Sequence, residues 1–319
     1  MEASGEVYKA NKEHFVLVHG AAHGAWCWFK LAYQLSGSGH RVSCIDLAGA
    51  AGSLVDPDDV RSFDEYDAPL IDFMAAVPDG HKVILVGHSA GGLSVTHAMH
   101  LFRDKIKQAI FVAATMLPFG YQTEQDIKDV IHQNFPYADC FVQLLFISGY
   151  RKSHCGVPDL SEFGDVYDLK FSLGDDRPPT SVALRQEHQR AILYQQCSHE
   201  ANIMNHLFIH LQKQDKSQRT HHHEQTFLQD STLASILLRP WPAALSTARF
   251  GHVNDGTESA VNAVPRVYIK TANDHMVKPE QQEAMIRRWP PSEVVAMDTD
   301  HSPFFSAPER LFKLILKSL

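Results

Sequence analysis

Ser89 stands at the centre of the heptapeptide Val86-Gly87-His88-Ser89-Ala90-Gly91-Gly92, which has the pattern Gly-x-Ser-x-Gly. The apolar run 83–86 before it predicts a buried strand, and residues 93–99 after it predict a helix. In that context the flanking glycines permit a sharp turn that exposes the serine hydroxyl. The turn also puts Ser89 at a helix N-terminus, where free backbone N–H groups favour negative charge. The sequence therefore predicts that Ser89 is a nucleophile.

A serine hydroxyl needs a neighbouring base, which is usually a histidine oriented by a carboxylate. On parallel sheets with such a serine turn, these partners follow it in the order acid, then histidine. Two residues fit that order. Asp274 lies four residues past the apolar run 266–270, and His301 lies just past the run 293–297. Asp300 is the rival acid, but as the immediate neighbour of His301 it would project differently. We predict Asp274 as the acid and His301 as the base.

An ester carbonyl attacked by serine develops negative charge, which backbone N–H groups can stabilise. One predicted donor is Ala90, directly after the nucleophile. The second is Ala21, in the loop 19–24 that follows the first apolar run. Together with the three side chains above, these two N–H groups predict an acyl-transfer site.

A histidine-rich stretch, 221–224, with His206 and His210 nearby, is the strongest candidate for a metal site. No ordered scaffold is evident there, so we expect a solvated loop instead. Gly49 and Gly52 form no dinucleotide fingerprint, because no third glycine opens a helix after them. The sequence therefore predicts neither a metal nor an organic cofactor.

The elements that must position these residues alternate along the chain. Apolar runs that predict strands lie at 14–18, 41–46, 83–86, 108–113, 266–270 and 293–297, and helical segments lie at 26–35, 63–77, 93–99, 279–288 and 308–319. Such alternation predicts an α/β fold, with a mostly parallel sheet and helices on both faces. The carboxyl ends of its strands would bring Ser89, Asp274 and His301 to one edge of the sheet.

The alternation lapses between residues 115 and 242, where we find helical patches and loops but no strand series. We therefore predict a core of residues 1–114 and 243–319 that carries a largely helical lid, 115–242. The lid would close over the edge of the sheet that holds the nucleophile.

Composition narrows the class of partner. The chain has 319 residues, 44% of them hydrophobic, and a formal net charge of −8. This is typical of a soluble globular protein and argues against binding to nucleic acid or to an anionic membrane. Residues 1–6 are polar and acidic, so we expect no secretory signal and a cytoplasmic location. The expected partner is a small-molecule substrate, with a homodimer as the alternative to a monomer.

The quoted motifs also resemble a known family. Residues 15–21 and 23–28, the serine turn and the pair Asp300-His301 resemble the plant methylesterase branch of the α/β-hydrolases. The segments 268–271, 278–282 and 288–291 resemble the members that hydrolyse methyl indole-3-acetate.

The resemblance implies an α/β-hydrolase fold with Ser89 as nucleophile, Asp274 as acid, His301 as base, and Ala21 and Ala90 as oxyanion donors. It implies a serine carboxylesterase that cleaves methyl esters of small plant hormones. Methyl indole-3-acetate is the first candidate, and methyl jasmonate and methyl salicylate are the alternatives.

Two positions separate the esterases of this family from its hydroxynitrile lyases. The lyases carry a threonine where Gly20 stands and a lysine where Ser302 stands, and that lysine is thought to handle cyanide. The resemblance therefore favours the esterase, with the lyase as one rival. A second rival is a hydrolase-fold hormone receptor with little turnover.

The lid departs from the family pattern at two stretches, 130–155 and 198–228, which we expect to be atypical inserts. Our hypothesis is that both are translated introns or errors of the gene model. If they are genuine, they bear on whether a substrate can reach Ser89.

Overall fold

The main sheet consists of six parallel strands. The computed structural model describes residues 12–121, 160–196, 231–251 and 261–319. In chain order the strands are β1 (His14–Val18), β2 (Arg41–Ile45), β3 (Val83–His88), β4 (Ile106–Val112), β5 (Tyr167–Lys170), β6 (Ser181–Leu184), β7 (Trp241–Pro242), β8 (Arg266–Thr271) and β9 (Glu293–Met297). The main sheet has the order β2-β1-β3-β4-β8-β9, so the predicted parallel sheet is confirmed.

Helices flank this sheet. In chain order they are α1 (Phe29–Gly37), α2 (Phe63–Ala76), α3 (Gly91–Phe102), α4 (Gln186–Leu193), α5 (231–237), α6 (Pro279–Arg288), α7 (Pro303–Ser306) and α8 (Pro308–Lys317). Local chemistry fixes their ends: the Ser62 hydroxyl accepts the Glu65 N–H at 3.1 Å and caps α2, and Pro279 occupies the first turn of α6. The predicted α/β class is therefore confirmed.

The strands at the centre of the sheet are mostly apolar because both faces of the sheet are covered. Every residue of β3 is buried, and it pairs with β1 on one side and β4 on the other. β8 lies between β4 and β9. Since all these strands run parallel, the loops that follow β1, β3, β8 and β9 leave the sheet at the same edge.

The predicted lid contains a small antiparallel sheet, β5-β6-β7, that the sequence pattern did not predict. Its strands are only two to four residues long and β7 contains a proline, so they lack the long apolar runs of the core. Asp58 joins this sheet to the core, since it accepts a hydrogen bond from Thr180 at 2.6 Å and pairs with Lys170.

The predicted inserts, 130–155 and 198–228, lie outside the described residues, as do His206, His210 and 221–224. The division of the chain at residues 115 and 242 stays a prediction. In the described ranges, no helix combines the length and the apolar character that crossing a membrane requires.

Candidate active site

Ser89 occupies the turn between β3 and α3 in a left-handed conformation, with φ of +52°, which is strained for a residue with a side chain. Its neighbours hold it there: its N–H donates to the Val112 carbonyl at 3.3 Å, and its carbonyl accepts from Gly92 and Thr115 at 3.1 and 2.9 Å. The side chain is only slightly exposed. The turn therefore presents Ser89 at the carboxyl edge of the sheet.

The glycines of this turn are required by close packing. A Cβ on Gly91 would lie 2.4 Å from the carbonyl oxygen of His19, and one on Gly92 would lie 2.2 Å from that of Thr115. Both obstacles are backbone atoms, which cannot rotate away as a side chain can. The serine turn thus packs directly against the loop that follows β1.

His301 is paired with Asp274 at the same edge. The Nδ1 of His301 lies 2.8 Å from Oδ2 of Asp274, and both side chains are almost fully buried. Because an ionised carboxylate only accepts hydrogen bonds, Nδ1 carries the proton and Nε2 is left as an acceptor. This is the tautomer that a general base next to a serine needs.

Asp274 is held rigidly by its own loop. Its Oδ1 accepts the backbone N–H groups of Met276 and Val277, each at 2.8 Å. Its Oδ2 accepts the Thr271 hydroxyl at 2.8 Å in addition to His301. A carboxylate with this many donors can stay buried and charged without a large penalty. The Asp274 carboxylate is thereby held in one orientation.

Asp300, the rival acid, faces a different set of groups. Its Oδ1 accepts the Ser302 N–H at 3.1 Å and the Ser306 hydroxyl at 2.7 Å, and its Oδ2 accepts the Gln196 N–H at 3.1 Å. Burial raises the pKa of Asp300, although these hydrogen bonds oppose the shift. Its carboxylate therefore binds the lid and its own loop, whereas the ring of His301 is held by Asp274.

The predicted oxyanion donors lie on adjacent loops, because Val18 of β1 pairs with Gly87 of β3. The N–H groups of Ala21 and Ala90 donate to no other group in the described ranges. A Cβ on Gly20 would lie 2.7 Å from the Cβ of Ser89, so glycine is what lets the two loops approach. Free N–H groups beside a serine hydroxyl are suited to stabilising an oxyanion.

Three further histidines surround the site, and the sequence pattern did not single them out as functional. Burial lowers the pKa of His19, lowers that of His23 to about 3 and lowers that of His88 well below its ordinary value. His88 packs its ring 4.6 Å from the ring of His301 and donates from Nε2 to the His301 carbonyl at 2.8 Å. Because all three are neutral near pH 7, none of them places a positive charge beside His301.

The lid reaches this cluster through Tyr194. His23 donates from Nδ1 to the Ala21 carbonyl at 3.1 Å, so its Nε2 accepts the hydroxyl of Tyr194 at 2.8 Å. The loop 19–24, which carries the predicted donor Ala21, is therefore joined to the predicted lid by a buried hydrogen bond between residues 171 positions apart. No local sequence pattern gives a signal over that separation.

The structure thus brings Ser89, Asp274, His301, Ala21 and Ala90 to one edge of the sheet, while their catalytic roles stay a prediction. Within the described part of the chain, no group of three or more His, Cys, Asp or Glu side chains is arranged to hold a metal ion. The arrangement that is present is suited to nucleophilic acyl transfer.

Comparisons with known proteins point to one group. The profile of the alpha/beta hydrolase family matches residues 15–314. Methylesterase 17 of Arabidopsis thaliana is 42% identical over 306 residues, which are 96% of this chain and 91% of that protein. Methyl jasmonate esterase 1 of Vitis vinifera is 33% identical over 303 residues, 93% of each protein. The crystal structure of methylesterase MES16 from Arabidopsis has a TM-score of 0.68 at 33% identity, covering 96% of this chain and 98% of that one.

Proposed function

The chain belongs to the α/β-hydrolase family and, within it, to the plant methylesterases, and we propose that it hydrolyses methyl esters of small plant hormones through an acyl-enzyme on Ser89. Methyl indole-3-acetate is the proposed first substrate, because segments 268–271, 278–282 and 288–291 resemble esterases for that compound. Methyl jasmonate and methyl salicylate are the alternatives, and the relative named methyl jasmonate esterase 1 supports including the first of them.

One observation carries the proposal. His301 Nδ1 lies 2.8 Å from Asp274 Oδ2, at the same sheet edge as a strained serine turn and two N–H groups without acceptors in the described ranges. Strained backbone costs free energy and persists where the surrounding structure enforces it. The set supplies nucleophile, base, acid and oxyanion donors in one place, as ester hydrolysis needs.

In the proposed first step, Ser89 Oγ attacks the ester carbonyl carbon while Nε2 of His301 takes its proton. Asp274 keeps the imidazole in the correct tautomer and stabilises the imidazolium that forms. The carbonyl oxygen becomes an oxyanion that accepts hydrogen bonds from Ala21 and Ala90, each of which contributes roughly 100- to 1,000-fold in typical cases. The intermediate collapses when His301 gives its proton to the departing methanol.

The second step releases the acid. His301 takes a proton from water, the resulting hydroxide attacks the acyl carbon, and the tetrahedral intermediate expels Ser89, which regains its proton from His301. The proton balance closes, so each turnover consumes one water and yields one methanol and one carboxylic acid. Gly20 and Ser302 support the esterase over the lyase reaction, because they stand where the lyases of this family carry a threonine and a lysine.

A panel of three methyl esters tests the proposal. Purified protein is incubated with methyl indole-3-acetate, methyl jasmonate and methyl salicylate, and methanol and free acid are both quantified. We expect equimolar release, fastest from methyl indole-3-acetate, and none from Ser89→Ala. Tight binding of the free acids without turnover would favour a receptor, and release of cyanide from cyanohydrins would favour a lyase.

A further inference from the structure

The lid segment 191–196, which forms the end of α4 and the residues after it, contacts the loops that carry the predicted catalytic groups. It reaches the oxyanion loop 19–24 through the hydrogen bond from Tyr194 to His23, at 2.8 Å. In the described part of the lid, no other stretch of six residues hydrogen-bonds to all three of the loops 19–24, 272–277 and 298–302. The position of the lid is therefore mechanically linked to the site.

The same segment is bound to the loop 272–277, which carries Asp274. The side-chain amide of Gln195 donates to the carbonyl of Asn273, and the carbonyl of Ala191 accepts from Nδ1 of His275 at 2.8 Å. These two bonds flank Asp274 on both sides in the sequence. A displacement of the segment would therefore also displace the loop 272–277 that holds Asp274.

The third tie leads to the loop 298–302, which carries His301. The backbone N–H of Gln196 donates to Oδ2 of the fully buried Asp300 at 3.1 Å. The other oxygen of this carboxylate holds the Ser302 N–H and the Ser306 hydroxyl. A buried carboxylate is costly unless it is hydrogen-bonded, and bonds to an ionised acceptor are stronger than neutral ones. Asp300 is thus the buried acceptor that joins the His301 loop to this segment.

We propose that Asp300 is a positioning residue, whose carboxylate fixes the His301 loop to the 191–196 segment and so keeps base, acid and oxyanion loops in register. This inference rests on the proposed function, since it assigns a role within the same site. Asp300 acts through backbone and lid contacts, and it neither touches the ring of His301 nor replaces Asp274.

Asp300→Asn distinguishes the two oxygens of the carboxylate. Ser302 N–H and Ser306 O–H both donate to Oδ1, so the amide oxygen of the variant takes that place. The amide NH₂ must then face the N–H of Gln196, where donor meets donor and the lid bond is lost. The matched control is Asp298→Asn, in the same loop: this carboxylate is exposed and accepts from Asn273 Nδ2 at 2.7 Å, a bond that an amide oxygen can keep.

Both kcat and hydrogen exchange are measured well below the melting temperature of each variant. We expect Asp300→Asn to lower kcat by about tenfold to 100-fold, because misplacing catalytic groups by about 1 Å has that effect. Hydrogen exchange at the Gln196 amide should accelerate in the same variant. Asp298→Asn should change kcat by less than about twofold and leave Gln196 protected. A merely structural role would lower the melting temperature of Asp300→Asn while kcat and the Gln196 amide stayed unchanged, and this would overturn the proposal.

A double-mutant cycle provides a stricter test. Tyr194→Phe removes the hydroxyl that donates to His23, so it loosens the other end of the same segment. If both residues act through the segment, the double variant should be about as slow as the slower single variant. Losses that multiply would mean independent effects and would contradict the proposal.

The test of Asp300 can be distinguished from the test of the proposed function, because two of its measurements need no ester substrate. These are hydrogen exchange at Gln196 and the rate at which a fluorophosphonate labels Ser89. A wild-type protein that cleaves no methyl ester, but whose Ser89 labelling slows in Asp300→Asn, would refute the esterase and support the positioning role. If Asp300→Asn does not fold, Tyr194→Phe takes its place. It loosens the same segment at its other end and should also slow labelling and accelerate exchange at Gln196, and unchanged values would overturn the proposal.

Discussion

Replacing Asp274 with asparagine exchanges one carboxylate oxygen for an amino group, and the surrounding donors decide where that group goes. Two backbone N–H groups, of Met276 and Val277, both need Oδ1 as an acceptor at 2.8 Å. The amide oxygen therefore takes that place, and the NH₂ faces Nδ1 of His301. Since an NH₂ group only donates, it forces Nδ1 to accept and moves the ring proton to Nε2.

The magnitude follows from that tautomer. A histidine protonated at Nε2 cannot take the proton of Ser89, and the imidazolium also loses its buried countercharge. The same exchange in serine hydrolases with this arrangement lowers kcat by about 10⁴-fold, which corresponds to about 5 kcal/mol in the barrier. We expect Asp274→Asn to lose between about 10³- and 10⁵-fold in kcat while KM changes little, because the group acts in the transition state.

The assay is steady-state hydrolysis of methyl indole-3-acetate, with thermal unfolding as the check that the variant is folded. Asp300→Asn is the comparison, because it removes the neighbouring carboxylate and should cost only about tenfold to 100-fold. This role of Asp274 would be refuted if folded Asp274→Asn retained more than about a tenth of the wild-type kcat, or if Asp300→Asn had the lower kcat of the two variants.

Three other predictions use single substitutions. Gly20→Ala places a Cβ 2.7 Å from that of Ser89 and should lower kcat by about 100-fold in a folded protein, since the nucleophile must shift; wild-type kcat would contradict this. His23 has its pKa lowered to about 3, so the unfolded chain binds a proton below pH 6.5 that the folded chain does not, and stability is lost as the pH falls. Between pH 6.5 and 4.5 this loss of stability amounts to about 2 kcal/mol. His23→Gln should therefore lose about that much less stability over this pH range in urea unfolding, and an unchanged loss would disprove the prediction. Gly92→Ala brings a Cβ 2.2 Å from the Thr115 carbonyl oxygen and should cost about 1–3 kcal/mol or more by the urea midpoint; a neutral result would mean that the loop moves freely.

Most of the core could be predicted from the sequence because buried parallel strands appear as continuous apolar runs. β1, β2, β8 and β9 lie within one residue of their predicted ranges, whereas β4 begins two residues earlier than predicted. The lid strands were not predicted: β5 has only four residues in alternating environments, and β7 is a two-residue bridge that contains Pro242, which usually argues against a strand.

The site residues also differ in whether a local sequence pattern predicts them or only contacts between distant residues do. Ser89 follows from a local pattern, because its glycines and its strand–helix context are contiguous. Choosing between Asp274 and Asp300 requires the fold of two loops, which the hydrogen bonds of Met276 and Val277 determine. The tie from Gln196 to Asp300 joins residues 104 positions apart. Such contacts leave no periodicity, so sequence reasoning could not find them.

Rapid quenching tests whether Ser89 forms an acyl-enzyme with a methyl ester. Protein mixed with methyl indole-3-acetate is quenched in acid at early times, digested and analysed by mass spectrometry. We expect an indole-3-acetyl adduct on the peptide that contains Ser89, formed together with one equivalent of methanol and absent from Ser89→Ala. Release of methanol by Ser89→Ala at the wild-type rate, or an adduct on another residue, would contradict it.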